Sequence, residues 1–462
     1  MYFESNEKME KILYRSTNRN SEKVSFKEAV LRGQAPDYGL YMPMSIPKIS
    51  KEKINSFRDM DYSQIAFEVF SLFLGDVIEK TKLKDIVQDI YSFEIPIQKV
   101  KDELYIMWLT KGPTASFKDF AARFMSKVME YFAIQENRKL TILVATSGDT
   151  GGAVANAFYG LDKIDVVILF PEQEITERQR KQMTTLGNNI LPLAIKGKFD
   201  DCQSIVKRAF NDSDFKLLNL TSANSINFGR LLPQSVYYFF GYSRVDEEEL
   251  VFSVPSGNFG NLLGGVIAKK MGLPIKRFIV GVNENDEFPK FLETGEYRAV
   301  VPSKECSSNA MNVGHPSNLA RLVDMYGGWL TDVRDHQGNL IKQGDLKVLP
   351  DMARLRNDFI SYSVEEREVD ETILKFYNEY GILIEPHGAI SIAASEKYSS
   401  KDVVISIETA DPAKFPEKIQ ELLHIVPPIS DNLLGLDDKE EEYLTIDSDY
   451  ESFKENVLKI LS

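Results

Sequence analysis

The sequence predicts an α/β protein built on largely parallel sheets, and three observations lead to that prediction. Short β-branched segments recur along the 462 residues, and they are apolar without strict alternation, as strands covered on both faces should be. Helical patterns lie between them, for example at residues 177–186 and 201–210. The chain is also longer than one hydrophobic core usually fills, so we expect several domains or lobes. The predicted strands are residues 140–148, 165–170, 250–257, 277–282 and 402–409.

The first 95 or so residues differ from the rest of the chain. They contain helical segments joined by a polar stretch, marked by Gly and Pro, at residues 32–47. We therefore predict a separate N-terminal domain ahead of two doubly wound α/β lobes. The predicted boundaries are 1–95 for the N-terminal domain, 96–225 for the first lobe, and 226–462 for the second lobe with the C-terminal region.

Composition narrows the classes of function. Acidic residues outnumber basic ones by 69 to 55, and the net charge of −14 argues against a nucleic-acid partner. Cys202 and Cys306 are too few for a disulfide framework, and the four histidines are not spaced as metal ligands. The N-terminus is polar, and no run of about 18 apolar residues occurs. We expect a cytoplasmic protein without a membrane segment or a metal, and an exposed acidic segment at residues 437–444.

Two predicted strands end in glycine-rich turns, at residues 146–153 and 255–261. Parallel sheets bind ligands at the carboxyl ends of their strands, so a site is expected at these turns. The second turn precedes a helical pattern, and its backbone N–H groups could bind a phosphate at the helix N-terminus. It could equally be a tight turn without a ligand. Neither the dinucleotide fingerprint nor the nucleoside-triphosphate loop occurs, so the phosphate would belong to another kind of ligand.

A lysine stands between two phenylalanines in residues 112–125. Five apolar residues, starting at Phe117 and spaced by four, three, four and three, predict one buried helix face. The spacing of Ser116 and Asp119 is that of a capping box, so the helix is predicted to begin at Ser116. Lys118 then lies in the first turn, where it opposes the helix dipole. It either extends to solvent or is an amine kept neutral in a desolvated site. A lysine with a phosphate loop and no metal set points to pyridoxal phosphate.

Nine motifs extend this interpretation over most of the chain. They are, in chain order, LRGQAPDYGLYMP, GPTASFKDFAARF, TSGDTGGAV, ERQRKQMTTLGNN, GKFDDCQSIVK, NSINFGRLLPQSVYYF, PSGNFGN, NAMNVGHPSN and TADPAKFPE. With them the chain resembles the threonine synthase family, pyridoxal-phosphate enzymes of the tryptophan-synthase-β-like fold (fold type II). The resemblance implies O-phospho-L-homoserine and water as substrates, and L-threonine and phosphate as products. The implied route is γ-elimination of phosphate followed by β-addition of water.

The resemblance also implies a role for each matched residue. Lys118 matches the lysine that binds the cofactor covalently, and Asp149 lies near the ring's 3-hydroxyl. Thr409 matches the hydroxyl that faces the pyridine nitrogen; a hydroxyl is not expected to hold the ring protonated as a carboxylate could. The cofactor phosphate is assigned to Ser256, Gly257, Asn258, Phe259, Gly260 and Asn261. The substrate carboxylate is assigned to Ser147 and Thr150, and the substrate phosphate to Asn224, Ser225 and Arg230.

The chain departs from the family pattern at a few positions. Asp411 stands where the family commonly has His, while Ala115 and Ser116 replace the usual Leu and Ala. Asp411 either retunes the site or caps the following turn. Phe117 and Phe120 are predicted to shield Lys118 from water.

Two other functions stay open at this point. One is a related lyase that releases 2-oxobutyrate from the same substrate, and the other is a non-catalytic protein that keeps the fold. Fold analogy suggests a monomer or a homodimer.

Overall fold

The computed structural model describes residues 11–101, 103–335 and 340–461, so the first ten residues of the predicted N-terminal domain lie outside it. The N-terminal region is mostly helical, as predicted. Ser25 and Asp61 each form a capping box, which explains why α1 and α3 begin where they do. Its elements are β1 Tyr14–Ser16, α1 Phe26–Arg32, β2 Tyr41–Pro43, α2 Lys51–Ser56, α3 Tyr62–Leu74 and α4 Lys80–Ile90.

Strands and helices alternate through the middle of the chain. The elements are β3 Ile97–Lys101, β4 Leu104–Trp108, α5 Lys118–Gln135, β5 Leu140–Ala145, α6 Asp149–Phe158, β6 Ile164–Pro171, α7 Glu177–Thr184, β7 Ile190–Lys196, α8 Phe199–Ala209 and β8 Leu220–Thr221. The predicted strands at residues 140–148 and 165–170 are confirmed as β5 and β6. The predicted helices at residues 177–186 and 201–210 are confirmed as α7 and α8.

The same alternation continues in the last part of the chain. The elements are α9 Phe228–Leu231, α10 Val236–Ser243, β9 Leu250–Pro255, α11 Gly260–Met271, β10 Ile275–Val282, α12 Glu287–Thr294, α13 Leu319–Met325, β11 Trp329–Arg334, β12 Leu340–Val348, α14 Met352–Asp358, β13 Phe359–Ser363, α15 Glu366–Tyr380, α16 Pro386–Lys397, β14 Val404–Glu408, α17 Pro416–Leu423, β15 Leu444–Asp447 and α18 Tyr450–Leu461. The three strands predicted from residue 250 onward are confirmed as β9, β10 and β14.

Two larger sheets carry the fold. One has the strand order β13-β10-β9-β14-β4-β3, in which every pair is parallel except β3 with β4. The other has the order β15-β7-β6-β5-β8 and is parallel throughout. The central strands β5, β9 and β14 are buried along their whole length. This burial explains why their sequences are continuously apolar.

Sheet membership does not follow the chain in contiguous blocks. Strands β3 and β4, from residues 97–108, belong to the sheet that also contains β9 and β14. Conversely, β15 near the end of the chain extends the sheet built around β5. The domain boundaries at residues 95 and 225 therefore stay a prediction, and each of the two larger sheets contains strands from both sides of residue 225.

The largest cluster of buried apolar side chains joins the N-terminal region to both lobes. It includes Phe70 of α3, Phe124 of α5 and Tyr238 of α10. Phe70 and Phe124 pack with ring centroids 4.3 Å apart, a contact that favours a fixed position of α5 against the N-terminal helices. Among the residues that the structure describes, none of the helices combines the length and the apolar character that a membrane crossing requires.

Candidate active site

A cavity of about 180 Å³ opens where β5, β9 and β14 end. Residues 147–150 follow β5, residues 256–261 follow β9, and Thr409 follows β14. The structure places every site residue predicted from the sequence on the wall of this cavity. The residues after β9 and β14 meet there because neighbouring parallel strands end at the same edge of a sheet, and β5 of the other sheet ends at the same cavity. Their individual roles stay predictions.

The segment before Lys118 pairs with the segment after β14. Ser116 forms a β-bridge with Ala410, and the Phe117 amide donates to the carbonyl of Thr409 at 2.8 Å. The predicted capping box is therefore wrong. Helix α5 begins at Lys118, and the Ser116 hydroxyl is buried without a partner among the described residues. The Asp119 carboxylate instead accepts from the amide and hydroxyl of Thr114 at 2.9 and 2.6 Å. The pairing with residues 409–411 keeps Ser116 out of the helix.

Lys118 points into the cavity, with its side chain 13% exposed. Its Nζ atom lies 4.9 Å from the centre of the Phe117 ring and 3.7 Å from Oδ2 of Asp149. Burial lowers the pKa of Lys118, and the nearby cations Lys414 and Arg230 lower it further, which outweighs the opposing effect of Asp149. A neutral amine is therefore more accessible here than on a solvated lysine. Phe120 does not line the cavity; it packs against Tyr62 instead, so its predicted shielding role is wrong.

Asp149 has a second and closer cation that the sequence analysis missed. Nζ of Lys414, whose side chain is fully buried, lies 2.6 Å from Oδ1 of Asp149 and donates to the Thr114 carbonyl at 3.0 Å. Burial alone would raise the pKa of Asp149, but Lys414 and Lys118 hold it well below its usual range. The carboxylate is therefore ionised beside the Lys118 amine. Lys414 lies inside the TADPAKFPE motif, and its presence near Thr409 in the chain was the feature of the sequence that could have indicated a second cation in the site.

The loop after β9 leads directly into α11. Phe259 has φ +62°, in the left-handed region, and α11 begins at the next residue. Strain of this kind in a non-glycine residue is typical of ligand-binding loops. A Cβ atom on Gly257 would lie 2.7 Å from Cα of Met311, so only glycine fits there. The loop places backbone N–H groups at the N-terminus of a twelve-residue helix, where an anion is stabilised.

Arg230 and Ser225 are the polar groups predicted for a second anion. Arg230 is buried and donates through one guanidinium nitrogen to the Ala223 carbonyl at 2.7 Å, while its Nε has no partner among the described residues. Burial lowers the pKa of Arg230 to about 10, so it stays a cation at neutral pH. The Ser225 hydroxyl oxygen accepts from the amides of Asn258 and Asn318 at 2.9 and 3.0 Å. Its own proton is therefore free to be donated to a ligand.

The remaining predicted residue of this group, Asn224, has a partly structural position. Its side-chain amide donates to the carbonyl of Ala145, the last residue of β5, at 2.8 Å. Arg321, which the sequence analysis missed, is fully buried and donates to the carbonyls of Ser225 and Ile226 at 3.0 and 2.6 Å. It also donates to the carbonyl of Tyr41 in the N-terminal region. Arg321 thus fixes the loop that carries Ser225.

Thr409 has charged neighbours that the sequence analysis also missed. Its hydroxyl lies 3.2 Å from Oε1 of Glu385, and Oε2 of the same carboxylate lies 2.5 Å from Nδ1 of His387. His387 lines the cavity, and Glu385 is the N-cap of α16. In the sequence, Glu-Pro-His-Gly at residues 385–388 indicates the start of a helix and gives no indication of a functional role. Asp411 caps the following turn, accepting from the Ala413 amide at 2.9 Å, which is the second of the two roles considered for it.

This site defines a class of protein. A desolvated lysine faces a glycine-containing loop at a helix N-terminus, at the carboxyl ends of parallel strands, as in pyridoxal-phosphate enzymes of fold type II. The family model "Pyridoxal-phosphate dependent enzyme" matches residues 93–338. The models "Threonine synthase N terminus" and "Threonine synthase, C-terminal" match residues 13–91 and 388–457. The chain belongs to the threonine synthase family, and its cofactor is pyridoxal 5'-phosphate.

Relatives and solved structures agree over most of the chain. The threonine synthases of Haemophilus influenzae and Escherichia coli are 38% and 36% identical over 419 and 416 residues, which cover 89% of this chain and 91% of each of them. The structure of pyridoxal-phosphate-bound threonine synthase from Brucella melitensis matches with a TM-score of 0.88 at 32% identity, covering 96% of this chain and 98% of that one. The Escherichia coli structure matches with a TM-score of 0.86 at 34% identity, covering 97% and 100%.

The residues on the cavity wall fit this cofactor. Lys118 offers a desolvated amine for the aldehyde, and the loop at residues 256–261 offers a helix N-terminus for the phosphate. The close approach of Gly257 to Met311 leaves no room for a side chain at position 257. Nδ2 of Asn261 is buried on the cavity wall without a partner among the described residues. A buried donor of this kind is stabilised when a ligand accepts from it.

Proposed function

We propose that this chain converts O-phospho-L-homoserine and water to L-threonine and phosphate. One observation carries the proposal: the Lys118 amine, the N-terminus of α11 and the buried cation of Arg230 line a single cavity. Two anion-binding positions beside one reactive amine suit a phosphorylated amino acid that reacts on a phosphorylated cofactor. The family membership supports the same activity.

Each cofactor contact has a proposed residue. Lys118 binds the aldehyde carbon, the loop at residues 256–261 binds the phosphate, Asp149 faces the 3-hydroxyl and Thr409 faces the ring nitrogen. When bound, pyridoxal phosphate supplies an electron sink that makes the protons on Cα and Cβ of an amino acid acidic. The chain's own residues then have three tasks, namely to orient the substrate, to move protons and to hold the leaving phosphate.

Lys118 is the proposed proton carrier. Once the substrate amine has taken its place on the cofactor, the Lys118 amine would accept the proton from Cα, pass it to the bound cofactor and then accept the proton from Cβ, so that it holds one proton at a time. Its lowered pKa makes the neutral fraction of this amine larger than that of a solvated lysine. Asp149, held ionised by Lys414, then stabilises the ammonium that forms 3.7 Å away. The same pair thus supports both the neutral and the protonated state of Lys118 during one turnover.

The substrate is held at its two charged ends. The hydroxyls and amides of Ser147 and Thr150 are proposed to bind the carboxylate. Arg230 and Ser225 are proposed to bind the phosphate, because Nε of Arg230 has no partner within the described part of the chain and the Ser225 hydroxyl can donate its proton. These contacts also stabilise the phosphate as it leaves, because its negative charge increases when the bond to Cγ breaks. Lys118 would then protonate Cγ, which becomes the methyl group. Water would add its hydroxyl at Cβ and leave its other proton with the released phosphate, and the proton first taken from Cα would return there through Lys118.

Product analysis tests the proposal and separates it from its closest alternative. The purified chain, loaded with pyridoxal phosphate, is incubated with O-phospho-L-homoserine, and threonine, 2-oxobutyrate and phosphate are quantified. We expect threonine and phosphate in equal amounts. If 2-oxobutyrate is the main product, the phospho-lyase alternative is correct and the proposal is wrong.

Matched variants connect the activity to the site. Lys118→Ala should lose both turnover and the visible absorption of the lysine-bound cofactor, because no other amine occupies its position. Lys111→Ala is a suitable control, since this lysine is exposed and lies outside the cavity. If Lys118→Ala keeps the absorption band, Lys118 is not the attachment point.

A further inference from the structure

Thr409 and two side chains behind it, Glu385 and His387, form a hydrogen-bond network that the proposed reaction does not yet use. Glu385 is fully buried, and His387 and Thr409 are nearly so. Oε2 of Glu385 lies 2.5 Å from Nδ1 of His387, and Oε1 lies 3.2 Å from the Thr409 hydroxyl. Thr409 is thereby linked to a carboxylate that lies one hydroxyl group away from the cavity.

The proton on His387 can be assigned from its second nitrogen. The backbone amide of Ala310 lies 3.2 Å from Nε2 of His387, and an amide N–H can only donate. Nε2 therefore carries no proton, so Nδ1 carries the ring proton and donates it to Glu385.

The carboxylate of Glu385 is surrounded by donors. Oε2 also accepts from the His387 amide at 2.7 Å, and Oε1 accepts from the Gly388 amide at 3.1 Å. With N–H donors on both oxygens, Glu385 is an ionised carboxylate that only accepts. The Thr409 hydroxyl must then donate its single proton to Oε1.

The direction of this bond decides what Thr409 offers to a ligand. Its only proton points to Glu385, so only oxygen lone pairs remain for the cavity. Within the described residues, no group donates to this hydroxyl oxygen. A ligand atom that faces Thr409 therefore has to be a hydrogen-bond donor.

We propose that Glu385 is a positioning residue that fixes the Thr409 hydroxyl as an acceptor, so that the cofactor ring is bound with its nitrogen protonated. This inference rests on the proposed function, in which Thr409 faces the ring nitrogen. It differs from the expectation that a hydroxyl does not hold the ring protonated, because a carboxylate stands behind this hydroxyl. A protonated ring withdraws electrons more strongly, which makes the Cα and Cβ protons of the substrate more acidic.

A second buried carboxyl group, that of Glu408, lies next to this network and adds no second negative charge to it. Oε1 of Glu408 accepts from the Glu385 amide at 3.0 Å, and Glu408 is buried. Burial and the charge of Glu385 raise the pKa of Glu408 well above its usual range. Glu408 is therefore neutral, and Glu385 supplies the single negative charge behind Thr409.

The experiment is nitrogen NMR on the full chain loaded with pyridoxal phosphate that carries 15N in its ring. We expect a pyridinium-type chemical shift in the unmodified chain. In Glu385→Gln the side-chain amide can donate to Thr409, which reverses the hydroxyl, so the shift should move to the pyridine type. Thr409→Val removes the acceptor without touching the cap of α16 and should give the same change. Thr409→Ser keeps the hydroxyl and should show the pyridinium shift. Glu408→Gln is the control: glutamine has a similar shape to a neutral glutamic acid, so this variant should leave the shift unchanged.

A pyridine-type shift in the unmodified chain would overturn the inference, and so would a pyridinium shift that survives in Glu385→Gln or in Thr409→Val. If Glu385→Gln does not fold, Thr409→Val decides between these outcomes. A chain that takes up no cofactor at all contradicts the proposed function instead, so the two failures are distinguishable.

Discussion

Replacing Lys414 by methionine removes the nearest cation from the buried carboxylate of Asp149. The two charges lie 2.6 Å apart, which corresponds to an attraction of about 6 kcal/mol at an effective dielectric constant of about 20. Removing one partner of a buried ion pair usually costs about 3–5 kcal/mol, because it leaves the other charge buried and unpaired. Lys118 remains 3.7 Å from the same carboxylate. We therefore expect the lower end of that range, about 3 kcal/mol, from Lys414→Met.

Thermal unfolding of the cofactor-free chain measures this loss. The entropy of unfolding is about 2.1 cal/mol/K per residue, or about 1 kcal/mol/K for this chain, so Tm should fall by about 3 °C. Lys414→Arg keeps the charge and is the matched control. The double variant Lys414→Met with Asp149→Asn removes both charges and should recover most of the loss.

The pH dependence gives a second test of the same pair. The pKa of Asp149 is lowered in the folded chain, so its carboxylate contributes stability at pH values above its ordinary pKa. That contribution disappears as the pH falls from about 4 towards the lowered value. The difference in Tm between the original chain and Lys414→Met should therefore narrow below about pH 4. A loss under about 1 °C at pH 7, or a double variant no more stable than Lys414→Met, would refute the reasoning.

Three further results are expected. Gly257→Ala should weaken cofactor binding at least about tenfold in an absorbance titration, because the added Cβ would overlap Met311. Gly260→Ala should weaken it less, because its added Cβ would lie 3.3 Å from Cβ of Ser225, and equal affinities of the two variants would contradict this reasoning. Arg230→Lys should raise KM for O-phospho-L-homoserine by about 10- to 100-fold, since a hydrogen bond to a charged group contributes about 1.5–3 kcal/mol. An unchanged KM would exclude Arg230 from phosphate binding. The rate of cofactor uptake should rise with pH, because only the neutral amine of Lys118 reacts. Since burial lowers the pKa of Lys118, the midpoint of this rise should lie below the ordinary lysine pKa, and a midpoint at or above that value would show that the amine is solvated.

The position of the site was predictable because it depends on local patterns. The apolar segments that became β5, β9 and β14 identify themselves by composition, and each is followed by its site residues. The ordered motifs then named Lys118 and the phosphate loop. The start of α5 was not predictable, because Ser116 has a capping pattern yet pairs with Ala410, almost 300 residues away. A long-range strand contact decided against a local propensity.

What the sequence by itself determined is the fold class, five strands of the two larger sheets and the predicted site residues that line the cavity, since periodicity and motif order are properties of the chain alone. Only the tertiary structure decided how those residues are charged and oriented. Lys414 reaches Asp149, Arg321 fixes the Ser225 loop, and Glu385 sets the direction of the Thr409 hydroxyl, each across a large separation in sequence. The physical reason is that hydrogen bonding and pKa values depend on distance and burial, which exist only after the two sheets and the N-terminal region have packed together.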